Sequence, residues 1–218
     1  MAVTPLRTIL DTIDAACNRS RREPADVTLI AVSKTRSAAE IAPLLRDGHR
    51  HFGENRVQEA TQKWPALREA YPDVTLHLIG QLQSNKALDA ARLFDCIHSL
   101  DRPSLVTALA KAFEKTGRPL PCFIQVDVGN EPQKGGCPIR DVSALIRQAR
   151  EADISLAGLM CLPPADKKPA PFFALLDKLA RDHGLAGRSM GMSSDYETAI
   201  MLGATHIRVG TALFGERQ

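Results

Sequence analysis

Lys34 is the residue of this 218-residue sequence whose position best suits covalent chemistry. It follows the short apolar run 29–33, whose β-branched residues and polar borders predict a buried strand. The carboxyl end of such a strand is where α/β proteins bind ligands, and partial burial there favours a neutral amine. A neutral amine can attack a carbonyl and form a Schiff base. Because many strands end in a charged residue, this segment alone favours the alternative, a lysine that reaches the rim and stays charged.

Two later segments have the composition of an anion site. Ser193 and Ser194 precede a predicted helix at 195–202, so their hydroxyl and backbone N–H groups can bind an anion. Gly210 and Thr211 follow a predicted strand and begin a last short helix. The alternative is that Ser194 or Asp195 only caps a helix and Gly210 only makes a turn. If the chain is a barrel, these are the two loops that most often hold phosphate, and together they predict a phosphate site.

Arg208 lies beside the second of these loops. It points into the mouth of the sheet if residue 208 is one of the inward positions of its strand. The alternative is an ion pair at the rim, for example with Glu54. Pyridoxal 5′-phosphate (PLP) fits these three features, because it has an aldehyde for the lysine, a phosphate for the anion site and a ring nitrogen for the arginine.

The elements that must position these residues alternate regularly along the chain. Eight predicted strands alternate with helices and there is no change of composition, so we expect an α/β fold, a single (β/α)8 TIM barrel over residues 1–218. An additional amphipathic helix precedes the first strand, and residues 129–138 are predicted to be an irregular loop. The predicted strands are 27–33, 51–55, 74–79, 96–100, 121–128, 154–161, 188–192 and 206–209. The predicted helices are 4–19, 37–47, 57–70, 84–93, 102–116, 139–152, 172–183 and 195–202.

Composition excludes several classes of protein. A net charge of +3 without a basic, aromatic-rich run argues against nucleic acid as a partner, and no apolar run is long enough for a membrane. The five cysteines are odd in number and widely spaced, which predicts reduced thiols in a cytoplasmic protein. Acidic residues interrupt the first segment, so we expect no signal peptide. No group of His, Cys and Asp has the spacing of metal ligands, so we expect no metal site.

Six segments of the sequence resemble the pyridoxal phosphate homeostasis protein family, the single-domain relatives of the alanine racemase barrel. They occur in the order of the family, and the resemblance covers essentially the whole chain. The segments are Ala31-Val32-Ser33-Lys34, HFGENRVQE at 51–59, HLIGQLQSNK at 77–86, Gly158-Leu159-Met160, MGMSSD at 190–195 and RVGTALFG at 208–215.

The resemblance implies a role for each candidate site residue. Lys34 would hold PLP as an internal aldimine, and Arg208 would face the pyridine nitrogen. The other implied cofactor-binding residues are Ser193, Gly210 and Thr211 at the phosphate, and Asn55 in the motif that borders the cofactor. One departure is the loop after the fifth strand, where Lys134-Gly135-Gly136 replaces the Lys-Ser-Gly of the family.

The resemblance also implies a function without an established reaction. We expect a non-catalytic protein that holds PLP and contributes to intracellular PLP and amino-acid homeostasis, with PLP-dependent apoenzymes as transient acceptors. We expect a monomer or a weak homodimer.

The alternative is a PLP-dependent amino-acid racemase with weak activity. Racemases of this barrel take a second base, a tyrosine, from an additional β-domain. The present sequence ends at Gln218, and its only tyrosines are Tyr71 and Tyr196. Neither is expected at the cofactor, so we expect no catalytic residue.

Overall fold

Nine strands, all parallel to their neighbours, form the single sheet of this protein, for which we have a computed structural model that describes residues 4–215. The strands are β1 (Thr28–Val32), β2 (His51–Glu54), β3 (Thr75–Leu78), β4 (Cys96–Leu100), β5 (Cys122–Asp127), β6 (Cys137–Pro138), β7 (Leu156–Cys161), β8 (Gly187–Met192) and β9 (His206–Val209). Their order is β4-β3-β2-β1-β9-β8-β7-β5-β6, and a further pairing of β4 with β5 closes eight of them into a barrel. The predicted (β/α)8 architecture is confirmed.

Helices surround the barrel and alternate with its strands. The α-helices are α1 (Pro5–Arg19), α2 (Ala38–Arg46), α3 (Val57–Ala70), α4 (Ala87–Leu93), α5 (Pro103–Thr116), α6 (Val142–Glu151), α7 (Ala170–Asp182), α8 (Tyr196–Met201) and α9 (Thr211–Phe214). The predicted additional N-terminal helix is α1, which packs against α8 and α9. Between residues 4 and 215, no helix is both long and apolar enough to cross a membrane.

The segment 129–138 is more ordered than the irregular loop that we expected. It contains a 3-10 turn at Pro132–Lys134 and the strand β6, which pairs with β5 at Val126 and Asp127. Two glycines allow the chain to turn back from the 3-10 turn to β5, because Gly135 and Gly136 have φ angles of +70° and +114°. A Cβ at Gly136 would lie 2.7 Å from the backbone nitrogen of Asp127. The glycine at 135 also fits closely, because a Cβ there would lie 2.5 Å from Nε2 of Gln81.

The apolar core lies mainly outside the barrel, between the strands and the helices. Strand alternation sends Leu29 and Ala31 of β1 into this outer layer, whereas Ile30 points inward. The cysteines are all buried and unpaired, and most of them contribute to the same layer. Burial raises the pKa of Cys122 well above its ordinary value and that of Cys161 to about 12, so their thiols stay protonated.

The inside of the barrel is unusually polar, because imidazole rings occupy much of it. Barrels of this type are commonly filled by layers of branched apolar side chains. Here Phe123 packs face to face on the ring of His98, with centroids 4.4 Å apart, and His206 meets both rings edge-on. His77 lies next to His98, with ring centroids 5.2 Å apart. Burial lowers the pKa of each of these imidazoles, so they are neutral in the folded protein.

We predict that the buried histidines make the fold acid-sensitive in a defined pH window. Burial lowers the pKa of His49 and of His206 to about 4, and it lowers those of His51, His77 and His98 as well. The unfolded chain therefore binds more protons below about pH 6.5, and stability is lost as the pH falls through that value. His49 and His206, whose folded-state pKa is about 4, should each contribute up to roughly 1.4 kcal/mol per pH unit to this loss.

Urea denaturation between pH 7.5 and pH 5 measures the slope. His206→Gln should reduce it by about one histidine's share, whereas His183→Gln, outside the barrel, serves as the control. A free energy of unfolding that stays level down to pH 5 would contradict the prediction.

Candidate functional site

An open cleft of about 840 Å³ lies at the carboxyl ends of the barrel strands, the end where barrels build their sites. Every candidate residue from the sequence lines it. Lys34 follows β1 and Asn55 follows β2, Arg208 lies on β9, and the loops after β8 and β9 contribute the rest, namely Ser193, Gly210 and Thr211. The structure thus brings together six residues from the carboxyl ends of four strands, while what they bind stays a prediction.

The charge of this cleft suits an anion. Lys34, Lys134 and Arg208 line it, and no carboxylate does so among the described residues. Lys134 is already engaged, because its Nζ lies 2.7 Å from Glu131 Oε2 and 2.9 Å from the carbonyl oxygen of Pro163. The half-buried Lys34 has no hydrogen bond or ion pair with any residue between 4 and 215. Its amine is therefore available to a ligand.

The backbone that presents Lys34 is held in an unusual conformation. Thr35 has a φ of +62°, in the left-handed region that a β-branched residue rarely adopts. Its N–H donates to Glu59 Oε1 at 2.5 Å. The ammonium of Lys63 donates to the carbonyl oxygens of Ser33 and Arg36, at 2.9 and 3.0 Å, on either side of the turn. The first turn of α2, with the predicted capping box of Ser37 and Glu40, follows directly. The position of Lys34 is thus set by residues of α3.

Glu54 anchors this arrangement from beneath α3. Its buried Oε1 lies 2.7 Å from Lys63 Nζ and accepts hydrogen bonds from Ser33 Oγ and Trp64 Nε1, at 2.7 and 3.0 Å. The alternative interpretation of Arg208 as an ion-pair partner of Glu54 is therefore wrong. The reason is strand alternation, since Glu54 points outward to α3, whereas Arg208 points into the barrel.

Arg208 carries a charge into the barrel without a counter-ion. Its side chain is 4% exposed, and its guanidinium donates to Ser189 Oγ at 2.6 Å and to the carbonyl oxygen of Cys161 at 2.8 Å. It has no ion pair with any residue of the described range. A buried charge that lacks a partner is costly. Desolvation lowers the pKa of Arg208, yet a guanidinium keeps its proton in proteins. An acceptor in the cleft would relieve this cost.

The loops after β8 and β9 are joined to each other. Ser193 Oγ accepts a hydrogen bond from the N–H of Gly210 at 3.2 Å. Gly191 has a φ of +95°, and a Cβ there would lie 2.6 Å from the Cβ of Ala199, so the turn requires glycine. Asp195 occupies the N-cap position of α8, but its side chain makes no capping hydrogen bond, and its Oδ1 instead accepts from the N–H of Met192 at 2.6 Å. The helix α9 begins at Thr211, and its first N–H groups have no partner within the helix.

Asn55 lines the cleft and has an unsatisfied side-chain oxygen. Its Oδ1 is buried and has no hydrogen-bond partner in the structure. The backbone of Asn55 also passes close to Gly80, where a Cβ would lie 2.3 Å from its carbonyl oxygen. Glycine at 80 is therefore required for this approach, and the Asn55 side chain can accept a hydrogen bond from a ligand.

Sequence reasoning missed a buried residue at the floor of the cleft, Gln125. It is 2% exposed, lines the cleft and donates from Nε2 to the carbonyl oxygen of Lys134 at 2.8 Å. It thereby holds the loop that carries Lys134. The alternation of Phe123, Gln125 and Asp127 along β5 was a signal that could have placed Gln125 on the inner face.

The sequence analysis, which predicted no metal site, missed one group of potential metal ligands. His77, Cys96 and His98 are buried on neighbouring strands, and their ligand atoms lie within 4.8 Å of one another. Sequence spacing could not reveal this group, because pairing of β3 with β4 places His77 opposite Cys96. The two rings already bond to each other, with His77 Nδ1 and His98 Nε2 3.0 Å apart.

The fold and the cleft define a class of protein, the alanine racemase type of barrel. The family model of the alanine racemase N-terminal domain matches residues 9–218. Alanine racemase of Clostridium difficile 630 has a similar fold, with a TM-score of 0.73 and 17% identity, over 98% of this chain and 57% of that one.

Closer relatives specify the family. The pyridoxal phosphate homeostasis protein of Escherichia coli K12 is 36% identical, over 97% of this chain and 95% of its own length. That of Pseudomonas aeruginosa is 40% identical, over 94% of this chain and 91% of its own. PipY of Synechococcus elongatus, solved with PLP bound, has a TM-score of 0.84 and 39% identity, over 95% of this chain and all of that one. The chain belongs to the pyridoxal phosphate homeostasis protein family.

We predict that Lys63→Met strongly destabilises the protein. The Lys63 side chain is 8% exposed and neutralises the fully buried Glu54, so the substitution leaves a buried carboxylate without its cation. Breaking such a pair costs about 3–5 kcal/mol. Urea denaturation at pH 7.5 measures the loss.

The double variant Lys63→Met/Glu54→Gln should recover much of the lost stability, because it removes the unpaired charge as well. Lys178→Met, which breaks an exposed pair with Asp182 on α7, should change stability far less. Equal effects of Lys63→Met and Lys178→Met would contradict the role of the buried pair.

Proposed function

We propose that this protein binds PLP, holds it on Lys34 as a Schiff base and acts as a non-catalytic carrier in intracellular PLP and amino-acid homeostasis. The observation that carries the proposal is one cleft with an unpaired lysine, a buried unpaired arginine and a pair of joined loops suited to an anion. The names of the relatives and the PLP bound to PipY support it.

The residues of the cleft fit the chemical groups of PLP. The phosphate would lie at Ser193, Gly210 and Thr211, where a hydroxyl group and the first N–H groups of α9 are available. Arg208 would donate to the pyridine nitrogen, the acceptor that its buried charge lacks. Asn55 would accept from a donor group of the ligand through its unsatisfied Oδ1.

Lys34 would supply the amine for covalent attachment. PLP would supply an aldehyde, and condensation with the Lys34 amine would form one C=N bond and release one water. The unprotonated amine is the attacking form. The turn at Thr35, held by Glu59 and Lys63, keeps the amine directed into the cleft.

The described residues that line the cleft support a carrier rather than a racemase. Removal and return of a proton on opposite faces needs two bases, and neither tyrosine lines the cleft. Tyr71 ends α3 and packs under Arg50, and Tyr196 begins α8. Lys134 Nζ is engaged by Glu131, 2.7 Å from its Oε2. Arg208 can only donate, which opposes protonation of a ring nitrogen and weakens stabilisation of a carbanion.

We also propose a setting for this function. PLP-dependent apoenzymes would be transient acceptors of the cofactor, and the protein would be a cytoplasmic monomer or weak homodimer with one domain over residues 1–218. The five buried, unpaired cysteines agree with a reducing compartment.

We predict that Lys34 is the residue that carries the cofactor. Protein saturated with PLP, reduced with borohydride and digested, should show the pyridoxyl mass on the peptide of Lys34. Lys34→Ala should abolish the adduct, whereas Lys86→Ala, outside this cleft, should leave it unchanged. An adduct only on Lys86 or Lys134 would remove Lys34 from its proposed role.

We predict that the loaded protein does not invert amino acids. Incubation with L-alanine in D2O should give no D-alanine by chiral chromatography, because a base on the second face is missing. Slow α-deuteration by Lys34 alone would be compatible with the carrier role. Robust formation of D-alanine that disappears in Lys34→Ala would favour the weak racemase instead.

A further inference from the structure

An unbroken chain of hydrogen bonds runs through the barrel behind Arg208. Arg208 donates to Ser189 Oγ at 2.6 Å, and Ser189 Oγ lies 2.8 Å from His98 Nδ1. His98 Nε2 lies 3.0 Å from His77 Nδ1, and His77 Nε2 lies 3.1 Å from His51 Nδ1. His51 is half-buried at the first position of β2, at the end of the barrel opposite the cleft. The chain therefore connects the floor of the cleft with the far end of the barrel.

Arg208 fixes the direction of every bond in this chain. A guanidinium has donors only, so Ser189 must accept from it. The Ser189 hydroxyl hydrogen then points to His98 Nδ1, its other partner among the described residues. If His98 donated instead, that hydrogen would be buried without an acceptor, because Ser189 is 0% exposed.

The same logic continues along the rings. His98 carries its hydrogen on Nε2 and donates to His77 Nδ1, and His77 carries its hydrogen on Nε2 and donates to His51 Nδ1. The charge of Arg208, at the end of the chain, thus holds all three neutral imidazoles in the Nε2–H tautomer. Phe123, which packs face to face on His98, fixes the plane of that ring.

We propose that Ser189, His98, His77 and His51 are positioning residues that act as a single directional chain and hold the Arg208 guanidinium toward the cleft. None of the four lines the cleft. They act on a ligand only through Arg208, so the consequence for PLP rests on the proposed function, whereas the direction of the chain does not.

The direction can be measured on the ligand-free protein. Long-range 15N–1H NMR spectra of the histidine rings distinguish the two tautomers, and His51, His77 and His98 should all be of the Nε2–H form. Ser189→Ala should release His98 into a mixture of tautomers. Ser189→Thr, which keeps the hydroxyl, should restore the wild-type pattern. Ser99→Ala is the matched control, because Ser99 is a buried serine whose Oγ has no partner.

A second measurement follows the effect on the cofactor. Ser189→Ala should weaken PLP binding about tenfold or more, as expected for loss of a hydrogen bond to a charged group. It should also shift the 15N resonance of the PLP pyridine nitrogen. Ser189→Thr and Ser99→Ala should change neither quantity much.

The outcomes separate the two proposals. An Nδ1–H tautomer of His98 in the wild type would overturn the chain, as would unchanged tautomers in Ser189→Ala. Stoichiometric zinc in the purified protein, bound by His77, Cys96 and His98, would also overturn it. If the wild type shows the Nε2–H pattern but does not bind PLP, the chain stands and the proposed function fails.

Discussion

The buried guanidinium of Arg208 is the constraint on which the interior of this barrel depends. A permanent positive charge that is 4% exposed and has no counter-ion among the described residues makes any further cation nearby costly. The imidazoles around it must therefore stay neutral, and the proximity of Arg208 lowers the pKa of His98 and His206 in addition to desolvation. An interior of aliphatic side chains would offer the guanidinium no side-chain acceptor and leave it only the backbone carbonyl oxygen of Cys161. The polar filling of the barrel is thus a consequence of placing an arginine at its floor.

The pleat of the strands keeps the two charged networks of the protein apart. Glu54 and Lys63 lie outside the barrel beneath α3, whereas Arg208 and the histidines lie inside it. The two networks are separated by the thickness of one strand. If Glu54 faced inward, it would neutralise Arg208, and Lys63 would keep only the less buried Glu59 as its ion-pair partner. The separation allows Lys34 to be held rigidly from one side, while the cleft on the other side stays positively charged.

The sequence was sufficient to predict the architecture and six of the residues that line the cleft, but not Gln125. Apolar runs and capping patterns identified the strands and helices, and the eight-strand alternation with helices implied that Lys34 and Arg208 lie at one end of the barrel. Partners across the barrel could not be predicted in this way. Lys63 is part of an ordinary helical pattern, and His51, His77 and His98 are far apart in sequence, so only the register of β2, β3 and β4 shows that they touch. The partner of Glu54 was wrongly expected because the face of β2 on which it lies was not assigned.

Because all five cysteines are buried, their reactivity can report local unfolding of the protein. Their thiols are distributed over α1, β4, β5, β6 and β7, and burial raises the pKa of each of them. A thiol reagent reacts with the thiolate, so in the closed protein it meets neither an accessible nor an ionised sulfur. The rate at which each cysteine is labelled thus reports how often its part of the barrel separates from its neighbours. The loosening of individual strands can be followed in this way without introducing a foreign probe.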